Sequence, residues 1–147
     1  MASSSDQLKT AETVVASLTK AIGHLIRRLR ADANPGGLNF SQTATLARLD
    51  DEGAMTTADL ARSESMKPQS MATILSGLEE EALVKRSRHP TDGRQILFSL
   101  TREGIEARRK RTAAKQKWLL AKVSKLSSAD QRTLLAAAEL INTLGEP

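Results

Sequence analysis

Cysteine is absent from this 147-residue chain, and its absence removes disulfides, thiolate metal sites, cysteine nucleophiles and thiol redox sensing by inventory. Tyrosine is absent too, and one Trp with two Phe bring the aromatics to only 2%. Any core must therefore come from Leu, Ile, Val, Met and the many Ala, a composition that favours helix. The only histidines are His24 and His89, so no metal-spaced His/Asp/Glu set, no nucleophile with a base and no phosphate-binding glycine loop can be assembled. Asp50, Asp51 and Glu52 are adjacent carboxylates, but consecutive residues on a helix point different ways. Neither an enzyme activity nor a bound cofactor or metal is expected. No run of about 18 apolar residues occurs, and the amino end MASSSD carries neither a basic start nor an apolar stretch. A cytoplasmic protein without a membrane partner is expected.

The chain is long enough for a single unit, 1–147, with helical extensions devoted to a partner, and too short for two independent cores. It holds 22 Lys and Arg against 17 Asp and Glu, a formal charge of +5, which suits a polyanion. Charge alone does not separate nucleic acid from anionic lipid.

Residues 1–7 are polar and expected to be disordered. Val15, Leu18, Ile22, Leu25 and Leu29 then alternate steps of three and four, the spacing of an a/d seam, and predict a helix over 8–31 with a packing or interface stripe. Pro35, Gly36 and Gly37 cannot continue it. Ser41 is placed to cap a second helix bearing Leu46 and Leu49, which runs out at Gly53. Thr56 opens a third, with Asp59 three positions on completing a capping box and Leu60 and Ala61 turned inward. After the polar break SESM, Pro68 occupies the first turn of a fourth helix. There Met71, Ile74, Leu75 and Leu78 mark a buried face, and Gln69, Ser70, Thr73 and Ser76 the opposite one.

The period then changes to two. Residues 83–87 and the alternating Ile96, Phe98 and Leu100 predict a hairpin, with HPTDG supplying Pro90, Asp92 and Gly93 to its turn. Thr101 caps a long helix reaching about Val123, and Ser127 begins a last one with Leu134, Ala138 and Ile141 on one face. The fold class expected is mainly α with a small β-hairpin wing. A helix-turn-helix followed at once by a basic wing, 41–101, is an order of elements by which small domains grip duplex DNA.

The segment TTADLARSESMKPQSMATILSGLEEEALVKRSRHPTDGRQILFSLTREG resembles the MarR family of bacterial transcriptional regulators, most specifically where Asp92 and Arg94 precede alternating strand residues, Thr101 and Gly104. The resemblance implies a homodimer whose terminal helices, 8–31 and 102–145, interlock, with Leu134 and Ile141 joining the first-helix seam, and each winged half meeting one half of a near-palindromic duplex site. It implies a repressor released by a small aromatic or anionic effector, bound in many relatives between the dimerisation and DNA-binding parts. It leaves as the alternative a winged-helix module for protein interaction or non-specific DNA coating. Two departures stand out. Ala82 replaces the usual glycine after the fourth helix, at a cost of about 1 kcal/mol or another way of ending that helix, and Gly93 stands where many relatives carry arginine.

Arg94 at the wing tip is the first candidate for DNA contact, entering the minor groove, with Asp92 orienting it. Arg86 and Arg88 lie on the strand before it, at least one of them as a phosphate ligand. Gln69, Ser70 and Thr73 are candidates for the major groove and Lys67 for a phosphate. The run Arg108, Arg109, Lys110, Arg111, Lys115 and Lys117 reads as a solvated or salt-bridged face rather than a nucleic-acid patch. His24 and Arg28, one turn apart, are the candidates for an effector carboxylate, against the plainer reading of surface side chains. Trp118 is expected to anchor packing, and Met55, Met66 and Met71 to fill the core.

Overall fold

The computed structural model describes residues 3–147. Its elements are α1 (Ser4–Asp32), α2 (Phe40–Glu52), β1 (Met55–Thr56), α3 (Thr57–Ser63), α4 (Pro68–Glu80), β2 (Val84–Arg88), β3 (Ile96–Leu100), α5 (Arg102–Val123) and α6 (Ser128–Leu144). They fall into two compact units: residues 34–114, and α1 with Lys115–Pro147. The first turns of α5 therefore pack with the winged unit, although the sequence gives that helix no internal boundary.

In the winged unit α2 is capped by Asn39, not by Ser41. The Asn39 side chain accepts from the Gln42 N–H at 2.9 Å while the Gln42 side chain accepts from the Asn39 N–H at 3.0 Å, so two of the orphan donors at the helix start are satisfied reciprocally. Ser41 lies inside the helix, where its carbonyl receives the Thr45 hydroxyl at 2.8 Å. At α3 the Thr56 hydroxyl accepts from the Asp59 N–H at 3.1 Å, half of the expected box; the Asp59 carboxylate turns instead to Arg62 at 2.8 Å. The three strands form one antiparallel sheet in the order β1-β3-β2, with Met55 opposite Phe98 and Arg86 opposite Phe98 on the other side. β2 starts one residue later than the hydropathy pattern predicts, because Leu83 is used to end α4.

The core collects Leu46 and Leu49 of α2, Leu60 and Ala61 of α3, Met71, Leu75 and Leu78 of α4, and Val84 and Phe98 of the sheet, with Met55 and Met66 packed against it. Thr45 is fully buried among them, and its hydroxyl is satisfied by the Ser41 carbonyl. That bond makes its burial inexpensive.

Helices α3 and α4 end alike. Ser65 (φ 52°) and Ala82 (φ 60°) take left-handed backbone without being glycine. Beside them Met66 N–H reaches Ala61 O at 2.9 Å, and Leu83 N–H reaches Leu78 O at 2.9 Å. Each is the long-range bond of a Schellman end. Ala82 thus keeps the glycine geometry and bears its strain. Ala82→Gly should raise the unfolding free energy by about 1 kcal/mol, read as a higher urea midpoint at unchanged slope.

The second unit departs from expectation at its start. Residues 4–7 form the first turn of α1, with Ser3 as its cap, accepting from the Ser5 N–H; Met1 and Ala2, the rest of the leader expected to be disordered, lie outside the described residues. Ser127 caps α6 through the Asp130 N–H at 3.1 Å. No residue of α1 or α6 is buried. Val15 is 63% exposed and Leu140 70%, and Leu134 and Ile141 are exposed as well. Of the α1 seam, Leu18 and Leu29 are half-buried, and Val15, Ile22 and Leu25 are exposed. Trp118 is half-buried, with its indole N–H donating to Asp32 at 3.3 Å and Lys122 over its ring.

Candidate nucleic-acid interface

Helix α4 buries Met71, Leu75 and Leu78 and leaves Gln69, Ser70, Thr73 and Ser76 exposed, the division the helical period predicts. At about 100° per residue, Gln69, Thr73 and Ser76 fall within roughly 60° of arc, with Ser70 at the edge of that face. Thr73 donates its hydroxyl to the Gln69 carbonyl at 3.2 Å, which leaves it an acceptor towards anything approaching the face. Lys67 is the N-cap residue and makes no side-chain cap, so its ammonium is exposed beside the positive end of the helix dipole.

The wing carries its charge unevenly. Arg86 is folded back onto α4, its Nε donating to the Glu79 carboxylate at 2.7 and 3.0 Å with its guanidinium 5.5 Å from the Phe98 ring centre. The hydrogen bond from Arg86 holds the Glu79 carboxyl below its ordinary value against slight desolvation, and the same bond raises Arg86. A depressed carboxyl contributes fully above its unfolded value and loses its contribution only as acid protonates the folded form, so this pair is intact at neutral pH. Arg88 is exposed and forms no ion pair among the described residues. The Arg94 side chain at the tip is 97% exposed.

Asp92 orients this tip through the backbone. Its Oδ1 accepts from the Arg94 N–H at 3.1 Å and stands 3.9 Å from the guanidinium, beyond hydrogen-bond reach. A Cβ at Gly93 would meet nothing within 4 Å, and its φ lies outside the left-handed region, so the backbone there accommodates a side chain; the missing arginine is a difference of charge, not of space. His89, which sequence reasoning left without a role, accepts at Nδ1 from the Thr91 and Asp92 N–H groups at 3.2 and 3.1 Å. A side-chain acceptor opening a turn was the signal available for it, in a position where Asn or Asp is the commoner choice.

Of the basic run of α5 within this unit, Arg108 and Arg109 are salt-bridged. Arg108 meets Asp50 at 2.9 Å and Arg109 meets Glu106 at 3.2 Å, and Arg111 donates to Asn34. Beside it lies an open groove of about 1050 Å³ lined by Pro35, Gly36, Lys85, Leu100 and the α5 residues from Arg102 to Lys110 that face it. The effector candidates are elsewhere. His24 is exposed, Arg28 pairs with Asp32 at 2.6 Å, and neither lines the groove. Among the described residues no group of acidic or histidine side chains could hold a metal ion, and no helix is long and apolar enough to cross a membrane.

Residues 38–96, which hold the whole of this geometry from α2 to the first residue of β3, match the model of the MarR family. An uncharacterised HTH-type transcriptional regulator of Mycobacterium leprae is 35% identical over 128 residues, 87% of this chain and 90% of its own length. The chain belongs to the MarR family. As a MarR-family member it is a transcriptional regulator with a DNA-binding winged-helix fold, and not an enzyme. An HTH-type transcriptional repressor of Mycobacterium tuberculosis is 32% identical over 84 residues, 56% of this chain and 60% of the relative. Among solved structures, a transcriptional regulator of Pseudomonas aeruginosa superposes with a TM-score of 0.84 at 28% identity, over 94% of this chain and 97% of that one. A point mutant of S. aureus MepR, bound to an oligodeoxyribonucleotide, shares the fold at a TM-score of 0.69 and 20% identity, over 90% and 98% of the two chains.

Proposed function

We propose that this MarR-family regulator is a homodimeric repressor that binds one near-palindromic duplex site, with α4 in the major groove and Arg94 in the adjacent minor groove of each half-site. The observation that carries the reading is the Arg94 side chain, 97% exposed on a wing tip whose backbone is fixed by Asp92. A fixed hairpin ending in an exposed guanidinium suits a narrow groove of high negative potential. Lys67, Gln69, Ser70 and Thr73 supply the helix contacts, and Arg88 a phosphate contact. Arg86, committed to Glu79, contributes by holding β2 against α4. The MepR mutant bound to an oligodeoxyribonucleotide and the Mycobacterium tuberculosis repressor support DNA as the partner and repression as the outcome.

The unpartnered apolar faces of α1 and α6 support self-association through Val15, Leu18, Ile22, Leu25, Leu29, Leu134 and Ile141. Two-fold symmetry in the protein then requires two-fold symmetry in the site, with half-sites about one helical turn, roughly 10 bp, apart. Release by a small anionic effector follows as a population shift towards dimers with wrongly spaced recognition helices. Lys85, Arg102 and Lys110, which line the groove without ion-pair partners among the described residues, support an anion.

Selection from a random duplex library at about 150 mM salt, where weak backbone binding is suppressed, tests the reading. The wild type should enrich one inverted repeat, and Arg94→Ala should bind it about 1 to 3 kcal/mol more weakly while remaining dimeric. Recovery of no preferred sequence by a folded protein would favour a module that docks proteins or coats DNA.

A further inference from the structure

The wing turn closes on itself through one side chain, the His89 imidazole. His89 N–H donates to the Gln95 carbonyl at 3.1 Å, and Gln95 N–H returns to the Asp92 carbonyl at 3.0 Å. Inside this loop the His89 Nδ1 sits 3.2 Å from the Thr91 N–H and 3.1 Å from the Asp92 N–H, with the Thr91 hydroxyl also at 3.2 Å. Backbone amides only donate, so Nδ1 must present its lone pair and the ring proton must sit on Nε2. Asp92, whose amide is fixed in this way, is the residue whose carboxylate accepts the Arg94 N–H. The order of dependence is His89, then Asp92, then Arg94.

We propose that His89 is the positioning residue of the wing: its neutral imidazole holds the turn that presents Arg94, and protonation of Nδ1 releases that turn and weakens duplex binding. The inference rests on the reading of Arg94 as a DNA contact. Protonation replaces an acceptor by a third donor facing two amide N–H groups, and both lose their partner. The charged side chains around the turn are Arg88 before it and Asp92 and Arg94 within it. Asp92 directs its carboxylate at the Arg94 amide. An imidazolium would also add one positive charge beside phosphates, which acts in the opposite direction. The two effects predict opposite pH dependences and are therefore separable.

Asparagine tests the geometry. Its Oδ1 is as many bonds from Cα as the imidazole Nδ1, forms the same kind of turn with the amide two residues on, and does not titrate. Full-length wild type, His89→Asn, His89→Ala and Arg94→Ala are titrated by fluorescence anisotropy against a labelled duplex recovered by the selection above, at pH 8 and pH 5.5. Amide hydrogen exchange at Thr91 and Asp92 is followed by NMR in the free proteins. At pH 8 His89→Ala should bind about tenfold more weakly than wild type, and His89→Asn within about twofold. Relative to His89→Asn, the wild type should lose about fivefold or more in affinity on going to pH 5.5, and its Thr91 and Asp92 amides should lose protection over the same span. Unchanged binding by His89→Ala overturns the proposal. So does a wild type that gains on His89→Asn in acid, which would make the imidazolium a phosphate ligand. If Arg94→Ala binds as tightly as wild type, the reading of the wing as a DNA contact fails and the DNA part of the proposal falls with it; the exchange measurement, which needs no DNA, shows separately whether His89 holds the turn.

Discussion

Gly104→Ala should destabilise the winged unit by about 3 kcal/mol or more, at the upper end of what overpacking by a single methyl group costs. A Cβ at this position would stand 2.1 Å from the Leu83 carbonyl oxygen, 3.1 Å from its carbon and 3.4 Å from the Leu100 Cδ2. The leucine methyl can swing away, but the carbonyl cannot. It accepts the Thr101 N–H at 3.1 Å, and the amide of the same residue closes the end of α4 on Leu78 O. Relief would therefore require α5 to lift from the sheet or the Schellman end of α4 to open. Helix propensity works the other way, since alanine is favoured over glycine by about 1 kcal/mol in a helix interior, but that gain is smaller than the cost of a backbone collision. Urea unfolding of the two proteins measures the balance. A loss below about 1 kcal/mol would mean that α5 and Leu83 are farther apart than they stand here.

The second large effect concerns self-association. Leu18→Glu with Leu25→Glu should convert the proposed dimer to monomer at micromolar concentration, a loss of about a hundredfold or more in dimer affinity, because each carboxylate would enter an apolar interface without a partner. Helix content by circular dichroism should change little, since both positions lie on a long helix in which Leu25 is exposed. With the dimer the double half-site footprint should disappear, leaving at most weak single half-site binding. Sedimentation of the variant as an unaltered dimer would move the interface away from the α1 seam.

Periodicity makes much of this molecule legible in its sequence. The buried and exposed faces of α4, the two strands of the hairpin and the caps at Thr101 and Ser127 all follow from local spacing, and local spacing survives folding. The misses have particular causes. β1 is two residues long and too short to carry a period; it exists because β3 offers an edge opposite Met55. Ser41 and Asn39 are both good cap residues, and Gln42, three beyond Asn39, decides between them by closing the second bond. Arg86 and Arg88 are indistinguishable in sequence, yet only Arg86 meets Glu79, because the left-handed turn at Ala82 brings the end of α4 back alongside β2. His89 is hidden for a different reason. An imidazole is an uncommon acceptor for a turn, where Asn or Asp is the usual sign.

The Thr101 hydroxyl donates to the Ala82 carbonyl at 2.5 Å and accepts from the Gly104 N–H at 3.0 Å, while the Thr101 amide binds Leu83 O. One residue thereby closes the last turn of α4 and the first turn of α5 at the same time. In kinetic terms neither end should fray alone: the amides of Leu83, Thr101 and Gly104 are expected to open together, and hydrogen exchange should find the corner protected like the larger structure it joins rather than like a helix terminus.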